Sequence, residues 1–106
     1  MFQALFLNDI DVDSDGNFYI TDTGNFETSG VVFKMNLAGD ISVLFDETTE
    51  NNKAPNGVLH IGNNKLLLVD WGGELFEANT LTKKISKKFY CSKYIRTIRI
   101  HLYMYC

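Results

Sequence analysis

The stretch NDIDVDSDGNFYITD, residues 8–22, decides the fold that this sequence predicts. It contains two short runs with β-forming side chains, Asp9–Val12 and Phe18–Thr21. Ser14–Asn17 separates them and holds an Asp-Gly pair. Because Asp-Gly adopts the tight turns that join antiparallel strands, we predict a β-hairpin here.

The same alternation of short runs and turn residues continues along the chain. Runs of four or five residues rich in Val, Ile, Leu and Phe follow, with spacers such as Ala-Gly-Asp and Gly-Asn-Asn between them: 31–35, 41–45, 58–61, 65–69 and 74–78. No window of eleven or more residues before residue 83 has a helical period. The spacing therefore predicts an all-β meander.

The strand pattern also repeats. NDIDV at 8–12 is echoed by NGVLH at 56–60, FYITD at 18–22 by LLLVD at 66–70, and VFKMN at 32–36 by LFEAN at 75–79. A period of about 45 residues with four strands per unit is typical of a propeller blade. We predict two four-stranded antiparallel blades of an incomplete β-propeller, with units at about 8–45 and 56–89 in a domain spanning 1–89.

Two blades alone leave sheet surfaces without neighbours. A closed propeller has at least four blades, and repeat arrays generally need about three units for stability. We therefore expect self-association through the open blade edges, or protein binding there, because unpaired strand edges recruit further strands.

Charge divides the chain unevenly. Residues 1–82 carry all thirteen acids and three bases, whereas 83–106 carry seven bases and no acid. Residues 90–106 are an atypical basic tail, in which the alternation from Tyr94 suggests a strand. Such a tail could contact nucleic acid or membrane, but we interpret it as replacing a third blade and expect neither partner. Cys91 and Cys106 are interpreted as unpaired thiols, with one local disulfide as the alternative.

Targeting signals are not visible in the sequence. There is no apolar stretch of 18 residues, and Met1–Leu7 lacks the basic segment and cleavage site of a signal peptide. The default expectation is a cytoplasmic protein.

Two blade starts resemble those of one enzyme family. Residues 7–23, and Pro55-Asn56-Gly57-Val58 followed by LLVD at 67–70, resemble blade starts of the gluconolactonase / senescence marker protein family, within the strictosidine-synthase-like superfamily. The resemblance covers about residues 5–85. It implies a six-bladed propeller that hydrolyses sugar lactones with one divalent metal, calcium being expected, in its central channel.

The resemblance also implies roles for two asparagines. Asn56 would be a metal ligand and Asn8 a substrate contact, although Asn also commonly ends strands for structural reasons. The family's Glu-bearing and Asp-bearing blades have no counterpart here. We therefore expect a truncated relative of metal-dependent sugar-lactone hydrolases that is not catalytically competent alone.

A second calcium hypothesis comes from the acidic stretch itself. Asp11, Asp13 and Asp15 alternate before Gly16, and Asp22 occupies the twelfth position, as in the opening of an EF-hand loop. No amphipathic helix flanks the stretch. The alternatives are a weak calcium-binding module and a plain hairpin with an Asp-Gly turn.

Overall fold

The computed structural model describes residues 5–90, 94–98 and 101–105, and the side chains of residues 5–88. These residues form ten strands in two four-stranded sheets and one hairpin. The first sheet consists of β1 (Leu7–Val12), β2 (Phe18–Asp22), β3 (Val31–Met35) and β4 (Ile41–Phe45). The second sheet consists of β5 (Pro55–Gly62), β6 (Lys65–Asp70), β7 (Glu74–Asn79) and β8 (Lys84–Tyr90). The hairpin consists of β9 (Tyr94–Ile98) and β10 (His101–Tyr105).

Both sheets are antiparallel meanders in which each strand pairs with the next along the chain. This confirms the all-β prediction of two four-stranded antiparallel units. In the described parts of the chain, no helix has the length and apolarity needed to cross a bilayer.

The two sheets repeat each other in register. Ile10 pairs with Ile20 in the first sheet as Val58 pairs with Leu68 in the second, which gives the predicted offset of 48 residues. Each first strand has one extra residue at its start, Asn8 in β1 and Asn56 in β5, where the register shifts. A second shift recurs between the third and fourth strands of both sheets. The sequence repeat is therefore a structural repeat, including its β-bulges.

The first hairpin turn follows from its sequence. Gly16 has a φ of 85°, a conformation that glycine adopts without steric cost, and its N–H donates to the carbonyl of Asp13. The Asn36–Asp40 turn between β3 and β4 has the same arrangement, with Gly39 at a φ of 88°. The Asp-Gly and Ala-Gly-Asp signals therefore mark turns as predicted.

The core joins the two sheets. Phe45, Val32, Val58 and Leu66 are fully buried, and both sheets contribute to one buried cluster of ten side chains: Tyr19, Val32, Leu44, Phe45, Val58, Leu66, Leu68, Phe76, Ala78 and Ile85. Because both sheets bury apolar side chains in this one cluster, its burial helps to hold the two units together.

The hairpin accounts for most of the basic tail that the structure describes. Tyr94 pairs with Tyr105 and Ile98 with His101, so the predicted strand at Tyr94 is present. Some Cα atoms of β10 lie within 8 Å of Cα atoms of β5. Cys91 and Cys106 lie outside the described residues.

Candidate functional site

Asn8 and Asn56, the two asparagines singled out by the resemblance, occupy the same place in the repeat. Each is the extra residue of the bulge at the start of its sheet's first strand. The side chain of Asn8 is exposed, whereas Asn56 is half-buried. The Oδ1 atom of Asn56 is buried and has no hydrogen-bond partner among the described residues. A buried oxygen without a donor is costly, so this atom is suited to accept a bond from a bound group.

Two threonines of β2 and its continuation hold the backbone around Asn56. The Thr21 hydroxyl accepts the Asp9 N–H at 3.1 Å and donates to the carbonyl of Asn56 at 2.5 Å. The Thr23 hydroxyl donates to the carbonyl of Pro55 at 3.0 Å. Both threonines are fully buried. The position of Asn56 is therefore fixed by the first sheet as well as by its own.

Two carboxylates of β1 complete this contact between the sheets. Asp9 accepts the Val58 N–H at 2.9 Å, and Asp11 accepts the His60 N–H at 2.6 Å. The ring of His60 also stacks on Tyr19, with 5.8 Å between centroids and 6° between planes. Asp11, predicted as a calcium ligand, is thus placed against the backbone of β5.

Asp9 is buried, and that burial raises the pKa of its carboxyl above the usual range. Hydrogen bonds from the N–H groups of Val58 and Ile10 oppose the rise, and the neighbouring charge of Asp11 adds to it. Burial outweighs the hydrogen bonds because it removes the charged form from water. The sequence analysis assigned no role to Asp9, Thr21 or Thr23. Their alternation along two adjacent predicted strands was the available signal.

Asp22 and Asp70, at the ends of β2 and β6, accept backbone hydrogen bonds in equivalent places of the two sheets. The Asp22 carboxylate accepts the N–H groups of Leu5, Phe6 and Gly24 at 2.8–2.9 Å. The Asp70 carboxylate accepts the N–H of Ala54 at 2.9 Å, which is the repeat counterpart of Phe6. Each carboxylate therefore fastens the segment that leads into the first strand of its sheet.

Asp13 is the centre of the first hairpin turn. Its carboxylate accepts the N–H groups of Asp15 and Asn17, the side-chain amide of Asn17 and the hydroxyl of Tyr19, all at 2.8–3.0 Å. Burial acts to raise the pKa of Asp13, but the bonds from Asn17, Tyr19 and Asp15 together lower it to about 2. Asp15 itself is exposed at the turn.

The predicted oxygen donors do not converge on one point. Asp11 contacts β5, Asp13 holds its own turn, and Asp22 holds the segment before β1. Within residues 5–88, no three His, Cys, Asp or Glu side chains are grouped as a metal site requires. Calcium takes six to eight oxygen ligands. The described side chains therefore do not fit a calcium ion by themselves, and Asn56 offers one oxygen.

Three exposed aromatic side chains lie at the same end of the sheets as the two asparagines. Trp71 contacts Phe6 with 6.0 Å between ring centroids and Phe26 edge-on at 5.1 Å. Phe26 has a φ of 67°, which is rare for a bulky residue. The cluster is a departure from the repeat, because Phe6 and Trp71 correspond to Ala54 and Thr23.

Comparison with protein-family models, curated proteins and solved structures finds no match to this chain. The functional argument therefore rests on the repeat, on the residues at its strand ends and on the contact between the two sheets.

Proposed function

We propose that this chain is a two-blade piece of a β-propeller related to the sugar-lactone hydrolases, and that it contributes part of a ligand-binding channel without catalysing hydrolysis alone. The observation that carries the proposal is the pair of equivalent bulges at Asn8 and Asn56. An amide side chain recurs at the start of each first strand, and the one at Asn56 has a buried oxygen to which no side chain or backbone group of the described residues donates.

The chemistry of such a channel is the binding of a polar ring. The Asn8 side chain is exposed and can exchange hydrogen bonds with sugar hydroxyls, since an amide offers both donors and an acceptor. Lactone hydrolysis needs more than this, namely a polarised carbonyl and an activated water. The described residues offer no group of acidic or histidine side chains for that purpose. Further ligands from outside the described residues would complete the site.

A titration of the ¹⁵N-labelled chain with D-glucono-1,5-lactone and with its hydrolysis product tests the proposal. We expect weak, saturable shifts of the side-chain amide signals of Asn8 and Asn56, and a change in fluorescence of Trp71, the one tryptophan of the chain. Asn8→Ala and Asn56→Ala should each weaken binding about tenfold. Asn36→Ala, in the turn at the opposite end of β3, is the matched control.

A hydrolysis assay with and without millimolar Ca²⁺ separates binding from catalysis. We expect no turnover above the buffer rate under either condition, and a melting temperature that calcium shifts by less than about 1 °C, because RT ln(1 + [L]/Kd) is small for a weak site. Turnover that depends on Asn56 would contradict the non-catalytic part of the proposal. If neither the Asn8 nor the Asn56 side-chain amide signal shifted in the titration, the proposal that this chain binds a lactone would be contradicted.

A second candidate function is protein binding through the side of β1 that faces away from the second sheet. β1 has a strand neighbour only in β2 among the described residues, and its apolar side chains are exposed: Leu7, Ile10 and Val12. Exposed apolar side chains on an edge strand favour pairing with another chain.

A further inference from the structure

The contact between the sheets is built by four polar side chains of the first sheet, which we call the junction set: Asp9, Asp11, Thr21 and Thr23. The two carboxylates accept N–H groups of β5, and the two hydroxyls donate to carbonyls of β5. Residues two apart in a strand point to the same face, and Asp9 pairs with Thr21 in register. The junction set therefore occupies one face of the first sheet.

On β5, backbone N–H groups donate to the two carboxylates of this contact. The repeat shows that β1 has equivalent N–H groups. Val58 and His60, whose N–H groups bind the carboxylates, correspond to Ile10 and Val12 in β1. Val58 is fully buried, whereas Ile10 and Val12 are 39% and 42% exposed. The difference arises because the first sheet covers β5 and no described part of the chain covers β1 in the same way.

The second sheet does not carry the junction set. Its equivalent positions are occupied by side chains without a carboxylate or a hydroxyl: Gly57, Leu59, Val69 and Trp71. A second copy of this chain could not use its second sheet to rebuild the contact on β1. Its own junction set is already bonded to its own β5. Head-to-tail stacking of identical chains is therefore disfavoured.

We infer that the exposed side of β1 docks an antiparallel sheet of a different protein, one whose edge strand carries two carboxylates two residues apart and whose next strand carries two hydroxyls two residues apart. The carboxylates would accept the N–H groups along β1, as Asp9 and Asp11 do on β5. The partner would also cover Leu7, Ile10 and Val12. This inference rests on the protein-binding candidate above and does not depend on lactone binding.

The test transplants the junction set onto the second sheet of the full chain, as Gly57→Asp, Leu59→Asp, Val69→Thr and Trp71→Thr. This variant carries both halves of the contact, so we expect head-to-tail oligomers whose mass in sedimentation velocity rises with concentration above the wild-type baseline. Adding Val12→Pro removes one receiving N–H and should return the mass to that baseline. A folded transplant with the wild-type mass would overturn the inference.

A second measurement serves if the transplant fails to fold. A backbone-cyclised peptide of residues 5–24, which carries the junction set and whose hairpin is first verified by circular dichroism, is titrated into the ¹⁵N-labelled wild-type chain. We expect saturable shifts at the Val12 amide, and binding at least tenfold weaker for the peptide with Asp9→Ala and Asp11→Ala. Equal effects of the two peptides, or none from either, would overturn the inference.

The wild-type chain alone distinguishes this inference from the broader candidate. If it self-associates and Val12→Pro dissolves the association, the occupant of β1 is a second copy. The partner chemistry inferred here would then be wrong, while protein binding through β1 would hold. If β1 binds neither the cyclised peptide nor a second copy, both fail together, and the lactone titration is unaffected by either result.

Discussion

The first and second sheets have the same strand order and share two register shifts, and β5 has one more, between His60 and Gly62. Their side chains nevertheless make different contacts. In the first sheet, carboxylates and hydroxyls point at the neighbouring sheet, whereas the second sheet has Gly57, Leu59, Val69 and Trp71 at those positions. The hydrogen-bonding register needs only a strand pattern, so it survives these exchanges. Contacts between sheets need particular side chains, so they occur once. The fold therefore repeats, whereas the side chains that join the two sheets do not.

The largest expected difference between the sheets concerns one glycine of each. Gly30, at the start of β3, and Gly73, at the start of β7, are repeat counterparts. A Cβ on Gly30 would clash with the carbonyl oxygen of Asp22, whereas one on Gly73 would have open space and only an unfavourable φ of 88°. Gly30→Ala should lower the free energy of unfolding by about 3 kcal/mol, and Gly73→Ala by about 1 kcal/mol.

Urea unfolding followed by circular dichroism measures both variants. If Gly30→Ala and Gly73→Ala lowered the free energy of unfolding by the same amount, the close approach of Gly30 to the end of β2 would not control stability. The difference between the sheets at this position would then be one of backbone angle only.

A smaller difference is expected at the position that is covered in one sheet and exposed in the other. Val58→Ala removes two fully buried methyl groups and should cost about 2 kcal/mol. Ile10→Ala removes more carbon from a side chain that is 39% exposed and should cost less than about 1 kcal/mol. Chemical denaturation of both variants checks this ordering. A larger loss for Ile10→Ala would mean that β1 is covered in solution, for example by a second copy.

The smallest expected effects are on the pH dependence of stability, and they have opposite signs. The pKa of Asp9 is raised in the folded chain. Its contribution to the free energy of unfolding is therefore fully present below the ordinary pKa of 3.8 and is lost as the pH rises through the folded pKa. The pKa of Asp13 is lowered to about 2, so its contribution is present above 3.8 and is lost as the pH falls towards 2. The second sheet has Gly57 and Ile61 at these positions and contributes neither effect.

Asp9→Asn and Asp13→Asn each remove one of these two contributions. Relative to wild type, Asp9→Asn should gain stability as the pH rises above 3.8, because the amide oxygen still accepts the Val58 N–H without a buried charge. Asp13→Asn should lose stability above 3.8, since its turn is held by a charged acceptor. Thermal melts at a series of pH values measure both, and the same sign for the two variants would contradict the assignment.

Much of the fold was predictable because it depends on local patterns. The Asp-Gly turn, the short β-forming runs and the offsets of 48 and 43 residues predicted the strands and their pairing, and the structure confirms them. Asn8 and Asn56 were predicted as counterparts and do occupy equivalent bulges. Their roles in binding substrate and metal remain predictions.

The contact between the sheets was not predictable in the same way. Asp11 and Asp22 were considered as calcium ligands because alternating carboxylates fit an EF-hand opening. The structure places them against different backbone N–H groups, one on β5 and one on the segment before β1. Spacing along a chain gives the face on which a side chain lies, but not which element that face meets.

The sequence by itself determined the strands, their turns and the two-unit repeat, because each depends on residues close together in the chain. Only the tertiary structure decided that Asp9, Asp11, Thr21 and Thr23 join the sheets, that Val58 is buried while Ile10 is exposed, and that the buried oxygen of Asn56 meets no donor among the described residues. These properties depend on residues 30 to 50 positions apart meeting in space, and such meetings follow from how one sheet packs on the other.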